Sequence, residues 1–479
     1  MPAYAFGNVY STNLSQSSNT LDITASQTVN LGYLLNENAD TGVTVDILDA
    51  SNNIVRSYNL GAQTVGSHSV AWDGLDNSSN PVAGGNYSFR VTASDDGYGT
   101  WTKINADSAN TAFFSPRGVA VNTNVNSTNY GRVYVGDSAG TTTVSPVNRA
   151  TGEGIYILNA DTSVPSGLAG ARSGGVAWTT SSSSPYRTFV GPDDKVYVTD
   201  WTDPHSGLWV GNADFDSATE LLNDGSPRAA SGLTATHGSI GSVHVEGTGA
   251  NRKVYTIDED FVGSGGVGRT GSIWQYDVGT DEPFTGAPVG LYDDAAAGNR
   301  VQNFTNDLAR SSDGTWWITQ LRGGGAADTL SSVIQISADG QTVLWSSISL
   351  APSGFSLTDP LRGTNGIAFD PVNDIIAIAH FTGTDGKITI FDDDTKTIIT
   401  TIETDGTNRD IAFDAVGNLY VVNNTSETLK IFSPGDGVNS DFTNSLAPLG
   451  AINVLVPEPS SLAVLGVAGL FFARRRRQT

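Results

Sequence analysis

Six segments of this chain repeat the same pair of strand patterns. Each begins with small or polar residues, continues as a short Val/Ile-rich strand and, after a variable loop, reaches a second apolar strand. Successive first strands start 57, 67, 65, 59 and 44 residues apart, enough for a four-stranded sheet with loops in each unit. The first strands read RGVAV from Arg117, GGVAW from Gly174, GSVHV from Gly241, NDLAR from Asn306, NGIAF from Asn365 and RDIAF from Arg409.

A sheet of this kind has two apolar faces and cannot stand alone, so the repeats must stack on one another. Radial stacking buries both faces, and the pattern therefore predicts an all-β chain with a six-bladed β-propeller over residues 113–456. A parallel β-helix would need a shorter and more even period, and a single large sandwich would not return six times to the same strand pair. The sequence contains no long stretch with helical period before its last residues.

Residues 21–95 show a different pattern, with short alternating strands separated by SNN, DNSSN and AGG turns. This predicts a small β-sandwich, in which Trp72 fills the core and Asp73 and Gly74 close a turn. A binding role for Trp72 is the alternative. Residues 96–112 are then a linker between the two domains.

Residues 1–20 are predicted to be an N-terminal arm. It contains Ala3-Tyr4-Ala5, the small-x-small pattern that precedes signal-peptidase cleavage, without the apolar segment that normally stands before it. We interpret the arm as the remnant of a signal-cleavage region whose start is truncated or misplaced. A chance match is the alternative.

The charge balance excludes some partners. The chain has 49 acidic and 25 basic residues, for a net charge of −24, which disfavours nucleic acid and anionic membrane surfaces as partners. It has no cysteine, so disulfides and thiolate metal sites are excluded.

The last residues combine three features in a fixed order: a Pro-Glu-Pro step, an apolar run at 462–473 and a run of arginines. As a helix the apolar run spans about 18 Å, which is short of the roughly 30 Å hydrocarbon core, so it predicts transient rather than permanent membrane anchoring. The arginines would stay on the cytoplasmic side, which places the body outside. The residues of the tail singled out here are Pro457, Glu458, Pro459, Arg474, Arg475, Arg476 and Arg477.

This tail, residues 457–479, closely resembles the PEP-CTERM sorting signal of exported bacterial proteins. The resemblance implies recognition and processing by an exosortase, in bacteria that commonly also make exopolysaccharide. The implied location is the cell envelope or the extracellular space.

The body carries two further resemblances. Gly66–Gly74, with its Trp-Asp-Gly turn, and Val82–Tyr87 are similar to the Ig-like domain of flagellar hook-capping proteins. The repeats are similar to NHL repeats and to the propellers of the gluconolactonase and senescence-marker-protein family. That family holds a divalent cation at the axis with Glu, Asn, Asn and Asp and uses it to open sugar lactones.

Only part of this ligand set is present in the matching positions. Asn306 and Asn365 match the family's asparagines, but Gly174 stands where the Glu belongs. Arg409 stands where the Asp belongs, and Asp410 is displaced by one residue, which on a strand changes the face. The resemblance therefore gives weak support for a metal-dependent lactonase, and we expect no metal at the axis.

Blades one and six are neighbours in a closed ring, so Arg117 and Arg409 are predicted to lie close together. Two close guanidinium groups need a counter-charge. Asp410 and Asp307 supply it in a structural interpretation, whereas an acidic sugar or another small anion supplies it in a functional one.

Other candidate sites are weaker. The five histidines, at His68, His205, His237, His244 and His380, are scattered and do not predict a zinc site. Asp392-Asp393-Asp394 is interpreted as a solvated turn, with a Ca²⁺ site as the alternative, and we expect no other cofactor. Trp316-Trp317 is interpreted as packing between blades, with a sugar-stacking surface as the alternative.

Two functional hypotheses follow. In the first, the chain is an exported surface or matrix protein whose propeller binds polysaccharide or another surface protein without catalysis. In the second, the propeller is a hydrolase that acts on a sugar or lactone at its axis. The absence of a recognisable catalytic motif favours the first.

Overall fold

The computed structural model describes residues 8–145, 147–178, 184–201, 207–222, 240–262, 268–286, 288–292, 305–320, 332–350, 361, 363–381, 386–435 and 452–455. Its regular structure in these ranges consists of β-strands and three short 3₁₀ helices, at Ala109–Thr111, Gly249–Asn251 and Ser347–Leu350. The predicted all-β class is thereby confirmed. In the same ranges no helix has the length and apolar character needed to span a membrane. The predicted C-terminal helix and the seven tail residues lie outside the described residues.

The first domain is a sandwich of two sheets. One sheet has the order β1-β3-β6, and the other has the order β2-β33-β7-β4-β5. The strands are β1 (Ser11–Gln16), β2 (Thr20–Asp22), β3 (Val29–Leu35), β4 (Ala39–Leu48), β5 (Ile54–Gln63), β6 (Gly66–Trp72), β7 (Gly85–Ser94) and β33 (Ile452–Leu455).

The sandwich core forms around Trp72, which is fully buried and packs edge-on against Tyr87 at 5.3 Å. Its indole N–H donates to the carbonyl oxygen of Leu75 at 3.1 Å. Gly74 has φ +77°, and a Cβ there would lie 2.7 Å from Ile23, so glycine is required in the turn. Trp72 is therefore a core residue, as the sequence predicted.

Two strands outside the predicted sandwich, β1 and β33, complete it, which corrects the predicted boundaries. The predicted N-terminal arm contains β1, which pairs antiparallel with β3. The predicted end of the propeller contains β33, which pairs parallel with β2 and antiparallel with β7. Ile452 and Val454 of β33 are buried in the sandwich core, whereas Asn453 and Leu455 face outward.

In the described residues, the second domain consists of six sheets of three or four strands and one additional two-stranded sheet. Each inner strand is followed in the chain by the next strand outward. The first sheet contains β9 (Pro116–Val121), β10 (Val133–Asp137) and β13 (Gly154–Leu158), and the two-stranded sheet contains β11 (Thr141–Val144) and β12 (Arg149–Thr151). The second sheet contains β14 (Thr188–Val190), β15 (Val196–Asp200), β16 (Gly207–Gly211) and β17 (Ala218–Leu222). The third contains β18 (Ile240–Glu246), β19 (Lys253–Val262), β20 (Gly268–Tyr276) and β21 (Val289–Tyr292).

The last three sheets have the same antiparallel plan. Their strands are β22 (Thr305–Arg310), β23 (Trp316–Gln320), β24 (Val333–Ile336) and β25 (Val343–Ser346); β26 (Thr364–Asp370), β27 (Ile375–His380), β28 (Lys387–Asp392) and β29 (Ile398–Glu403); β30 (Asn408–Phe413), β31 (Leu419–Asn423), β32 (Thr428–Ser433) and β8 (Thr102–Lys103).

The six sheets close into a ring. Each neighbouring pair shares one hydrophobic cluster, and the last sheet shares one with the first, in which Tyr420 and Val422 pack with Val119 and Val133. The inner strands contact one another in the same cyclic order, ending with β30 against β9. These contacts are those of a β-propeller, and the predicted fold class is confirmed.

The outer strand of the sixth sheet is β8, which comes from the predicted linker. It pairs antiparallel with β32, through Lys103 against Phe432 and Thr102 against Ser433. The ring therefore joins a segment before the first blade to the last blade, and residues 96–112 are in part a propeller strand.

The start of the second blade is also corrected. GGVAW forms no strand, because Gly174 and Gly175 have φ values of +62° and +80°. The carbonyl oxygen of Gly174 instead accepts from the N–H of Ala218 at 2.8 Å, at the outer edge of the blade. The inner strand is β14, which Arg187 immediately precedes.

The sandwich and the propeller meet at a buried polar joint. Asn8 donates to the carbonyl oxygen of Val416 and accepts from Asn418 at 3.0 Å through its own carbonyl oxygen. Tyr10 packs against Tyr130 at 5.4 Å. Residues 8–10, which were predicted to be an arm, are therefore enclosed between the domains.

Three buried carboxyl groups lie in this joint. Burial raises the pKa of Glu37 to about 8, that of Asp414 to about 7 and that of Asp95 to about 6. The charges of Asp95 and Asp414 add to the effect on Glu37, while the hydroxyl of Tyr98, 3.2 Å away, partly offsets it. The folded protein therefore holds protons here that the unfolded chain has already released.

Prediction for β33. Ile452→Ala removes buried side-chain atoms from the sandwich core and is expected to lower the free energy of unfolding by about 2–5 kcal/mol. Leu455→Ala is the matched control, because Leu455 lies in the same strand and is 48% exposed, so its change should stay within about 0.5 kcal/mol. Chemical denaturation of the two variants measures this. Equal effects would contradict the placement of β33 inside the sandwich.

Prediction for the joint. Because the pKa values of Glu37, Asp95 and Asp414 are raised in the folded state, the unfolded chain binds fewer protons between about pH 4 and pH 8. The free energy of unfolding should therefore fall as pH rises through this range. Glu37→Gln is expected to flatten the fall, with a gain at least about 1 kcal/mol larger at pH 9 than at pH 5. Glu403→Gln, at an exposed site, should leave the profile unchanged; a profile that Glu37→Gln does not alter would refute the assignment.

Candidate functional site at the propeller axis

One residue from the start of each blade meets its counterparts at the propeller axis. Arg187 is the long side chain among them and is 2% exposed. Two members are glycines, and a Cβ on Gly118 would lie 2.8 Å from the backbone nitrogen of Thr188, so the close approach of the first two blades requires glycine. The six residues, here called the axial ring, are Gly118, Arg187, Ser242, Asp307, Gly366 and Asp410.

Arg187 crosses the axis and contacts four other blades. Its Nη1 donates to the carbonyl oxygen of Arg117 at 2.7 Å, and its Nη2 donates to the backbone and side-chain oxygens of Asn365 at 3.2 and 3.1 Å. Its Nε lies 3.6 Å from Oδ1 of Asp410 and 3.9 Å from Oδ2 of Asp307. The guanidinium group is thus surrounded by oxygens from the first, fourth, fifth and sixth blades.

The two carboxylates extend this network to their own neighbours. Asp307 accepts from the hydroxyl of Ser242 at 2.5 Å and from the N–H of Ile367 at 2.9 Å. Asp410 accepts from the N–H of Val119 at 2.8 Å. The third blade is linked to this network because the hydroxyl of Ser242 donates to Asp307. All six blades are therefore linked at the axial ring.

Burial decides the protonation of these groups. It raises the pKa of Asp307, and it raises the pKa of Asp410 further, where the charge of Asp307 adds to the effect. Arg187 opposes both shifts. Burial also lowers the pKa of Arg187, but the nearby carboxylates outweigh this and keep the guanidinium charged.

Arg117 and Arg409, the predicted arginine pair, lie beside this ring and are partly exposed. Burial lowers the pKa of Arg409 to about 10, and the charge of Arg117 contributes to that shift. The guanidinium of Arg409 stacks on Phe381 at 4.4 Å, and that of Arg117 lies 3.4 Å from the hydroxyl of Ser138. We call the side of the axis that carries this pair the arginine side.

The predicted counter-charges go elsewhere. Asp410 and Asp307 were expected to neutralise Arg117 and Arg409, but their ion pairs are with Arg187. In the part of the chain that the structure describes, Nε of Arg409 has no hydrogen-bond acceptor. The arginine side therefore presents two neighbouring guanidinium groups, and the two axial carboxylates are paired with Arg187.

The predicted asparagines are brought to the axis. The side-chain oxygen of Asn365 accepts from Arg187, and its Nδ2 lies 3.4 Å from the carbonyl oxygen of Asn408. Asn306 is 6% exposed and donates to the carbonyl oxygen of Thr364 at 3.3 Å. Both side chains are engaged in contacts within the ring of blades.

The divalent cation implied by the gluconolactonase resemblance does not fit these residues. Gly174, expected at the Glu position, lies at the outer edge of its blade, and Arg409 occupies the Asp position. The carboxylates that do reach the axis already surround Arg187. Among the described residues no three Asp, Glu, His or Cys side chains are grouped closely enough to hold a metal ion.

Arg187 is the central residue that sequence reasoning missed, although the sequence carries a signal for it. In the fourth, fifth and sixth blades the axial residue stands nine positions before the start of the second strand, as Asp307 does before Trp316. Arg187 stands nine positions before Val196, whereas Gly174 stands 22 positions before it. The spacing identifies Arg187 as the axial residue of the second blade.

The weaker candidates have structural roles. Trp316 and Trp317 are fully buried on opposite faces of β23, so both pack between blades as interpreted. Asp393 pairs with Lys396 at 2.9 Å in the turn after β28. His380 is buried against Thr389 at 2.9 Å. His205 and His237 lie outside the described residues.

Prediction for the axial ring. Arg187→Met leaves two buried carboxylates without their cation and is expected to lower the free energy of unfolding by about 3–5 kcal/mol. Adding Asp307→Asn and Asp410→Asn removes those charges, so the triple variant should regain most of the loss. Thermal and chemical unfolding of the propeller measure both. A triple variant no more stable than Arg187→Met would contradict the ion-pair explanation.

Comparison with known proteins gives two family matches. Residues 18–97 match the FlgD Ig-like domain, and residues 455–477 match the PEP-CTERM protein-sorting motif. No curated protein matches the chain.

Solved structures are similar to parts of this chain. FlgD from P. aeruginosa is 29% identical over 19% of this chain and 66% of that chain, with a TM-score of 0.15. An auxiliary nutrient binding protein from Bacteroides thetaiotaomicron is 10% identical over 88% of this chain and 97% of that one, with a TM-score of 0.38. Kuenenia stuttgartiensis hydrazine synthase is 15% identical over 70% and 98% of the two chains, with a TM-score of 0.36.

The family matches fall on the segments that carried the sequence resemblances. The FlgD-type match covers the sandwich around Trp72, and the sorting motif begins at Leu455, the last residue of β33. The chain therefore combines a FlgD-type Ig-like domain, a β-propeller and a PEP-CTERM motif, and the motif indicates an exported protein processed by exosortase-type sorting machinery.

Proposed function

We propose that this exported protein is a non-catalytic binding protein of the cell surface or extracellular matrix. Its propeller binds an acidic polysaccharide, and Arg117 and Arg409 contact the carboxylate groups of that ligand. Exosortase and its machinery are the sorting partners, and the tail anchors the chain in the membrane until it is processed.

The observation that carries this proposal is the pair of neighbouring guanidinium groups on the arginine side. Arg117 and Arg409 lie close enough for the charge of Arg117 to lower the pKa of Arg409, and both side chains are partly exposed. A guanidinium group binds a carboxylate through two parallel N–H donors, and two adjacent groups favour a ligand with several carboxylates.

Aromatic side chains next to the arginines support a sugar ligand. Tyr186 packs against Trp201 at 4.9 Å, and Arg187 lies over the Tyr186 ring at 4.8 Å. Phe381 lies under Arg409. Aromatic rings beside polar donors provide apolar surface for sugar rings and hydrogen bonds for their substituents.

The rest of the molecule favours one localised contact. The net charge of −24 repels polyanions from most of the surface, so an acidic polymer is held where the arginines are. Binding through the sandwich has no comparable feature to support it.

The alternative is a hydrolase or lactonase that acts at the same axis. It would need oxygen ligands for a metal, or a general base with access to substrate. The carboxylates at the axis are buried and hydrogen-bonded around Arg187, which favours the binding protein.

Prediction for ligand binding. Arg117→Ala combined with Arg409→Ala is expected to weaken binding of polygalacturonate oligosaccharides at least about tenfold, because each removed guanidinium loses a charge-assisted contact. Lys195→Ala combined with Lys253→Ala removes the same charge away from the axis and is the matched control. Isothermal titration calorimetry, with dextran as the neutral ligand, measures the affinities.

Three outcomes would decide against the proposal: unchanged affinity in the arginine variant, equal loss in the lysine variant, or equal binding of dextran. Thermal unfolding of each variant shows whether the propeller is intact. Release of the ring-opened acid from gluconolactone, dependent on a divalent cation, would favour the enzyme instead.

A further inference from the structure

A cavity of about 390 Å³ lies along the propeller axis, on the other side of the axial ring from Arg117 and Arg409. Arg187, Ser242, Asp307 and Asp410 line its inner end, and the inner strands of the blades form its walls. Its volume is within the usual range for small-molecule sites.

The walls are mainly apolar. They are built largely from branched aliphatic residues, alanines and phenylalanines, with Asp414, His244 and Arg310 also present. Since a cavity of about 150 Å³ accommodates benzene, this one has room for about two fused rings. The apolar residues that matter most here are Val119, Val243, Leu308, Ile367, Ala412 and Phe413.

The inner end presents one buried donor without an acceptor. Nε of Arg187 makes no hydrogen bond, although both Nη atoms do. Its distances of 3.6 Å to Asp410 and 3.9 Å to Asp307 are too long for direct hydrogen bonds. An oxygen atom at this point could accept from Nε and donate to either carboxylate.

The inner end does not require a cation from the ligand. Arg187 faces two carboxylates, and burial raises the pKa of both, so the ring can hold a proton instead of attracting a further cation. A charged ligand would also lose its hydration against the apolar walls. Both considerations favour a neutral ligand.

We propose that this axial cavity binds a small neutral alcohol or phenol, with its hydroxyl group at Nε of Arg187 and its apolar body along the inner strands. The site is independent of the acidic-polysaccharide site, which lies on the arginine side of the ring. The propeller then carries two ligand sites separated by the axial ring.

The matched probes are 2-naphthol and naphthalene, which differ by the one hydroxyl group. Titration of the whole chain, followed by 2-naphthol fluorescence and by calorimetry, should show 2-naphthol binding at least tenfold more tightly than naphthalene. Ala412→Phe fills the cavity and should abolish binding. Ala338→Phe adds the same ring at an exposed turn and should leave it unchanged.

Each other result overturns the proposal. Equal affinity for the two probes would refute the contact between the ligand hydroxyl and Nε of Arg187. Absence of 2-naphthol binding would refute the cavity as a site for such ligands. Binding that persists in a folded Ala412→Phe variant would place the probe elsewhere. If Ala412→Phe does not fold, Ala368→Leu is used in its place, since Ala368 lines the same cavity. Polygalacturonate binding should not change in these cavity variants. The experiment therefore tests the cavity proposal separately from the proposed polysaccharide site.

Discussion

The buried guanidinium group of Arg187 holds the inner strands of the propeller blades together. A ring of six sheets leaves inner edges that must be held at equal distance from the axis, and apolar packing between blades does not fix that distance. A planar group with five donors can reach several edges at once, and Gly118 and Gly366 leave room for it. Arginine stays charged inside the protein, so the buried guanidinium group needs carboxylate partners at the axis. The axial carboxylates of Asp307 and Asp410 therefore stabilise the propeller through Arg187.

The second constraint is that β2, which precedes the propeller, and β33, which follows it, are neighbours in one sheet. β33 occupies an interior position between β2 and β7, so the Ig-like domain is incomplete until the residues just before the sorting motif have arrived. The propeller is therefore an insertion between strands of the sandwich, with few residues between β33 and the Pro-Glu-Pro step. In the proposed membrane-anchored form, the sandwich would lie next to the tail. Removal of the tail leaves β33 in place, held by hydrogen bonds on both sides.

The repeats allowed the propeller to be predicted because each second strand is apolar on both faces, and such strands must be covered twice. The prediction for the second blade was wrong at GGVAW. Its residue types resemble those of a strand, but Gly174 and Gly175 both have left-handed backbone conformations, which a strand does not allow. β33 was missed for another reason: local patterning does not reveal that its partner β2 lies more than 400 residues earlier in the chain. At the axis, Arg117, Arg409 and the asparagines were predictable from the column of repeats. Arg187 follows a serine-rich stretch and appears only when spacing to the second strand is counted.

The contrast between the acidic body and the arginine side shapes how ionic strength acts on a polyanionic ligand. Salt weakens the attraction between guanidinium and carboxylate, but it also screens the repulsion from the net charge of −24. Repulsion acts over the longer distances, where screening is strongest, whereas partly buried contacts are screened less. Moderate salt should therefore weaken this complex much less than it weakens the binding of polyanions to basic proteins.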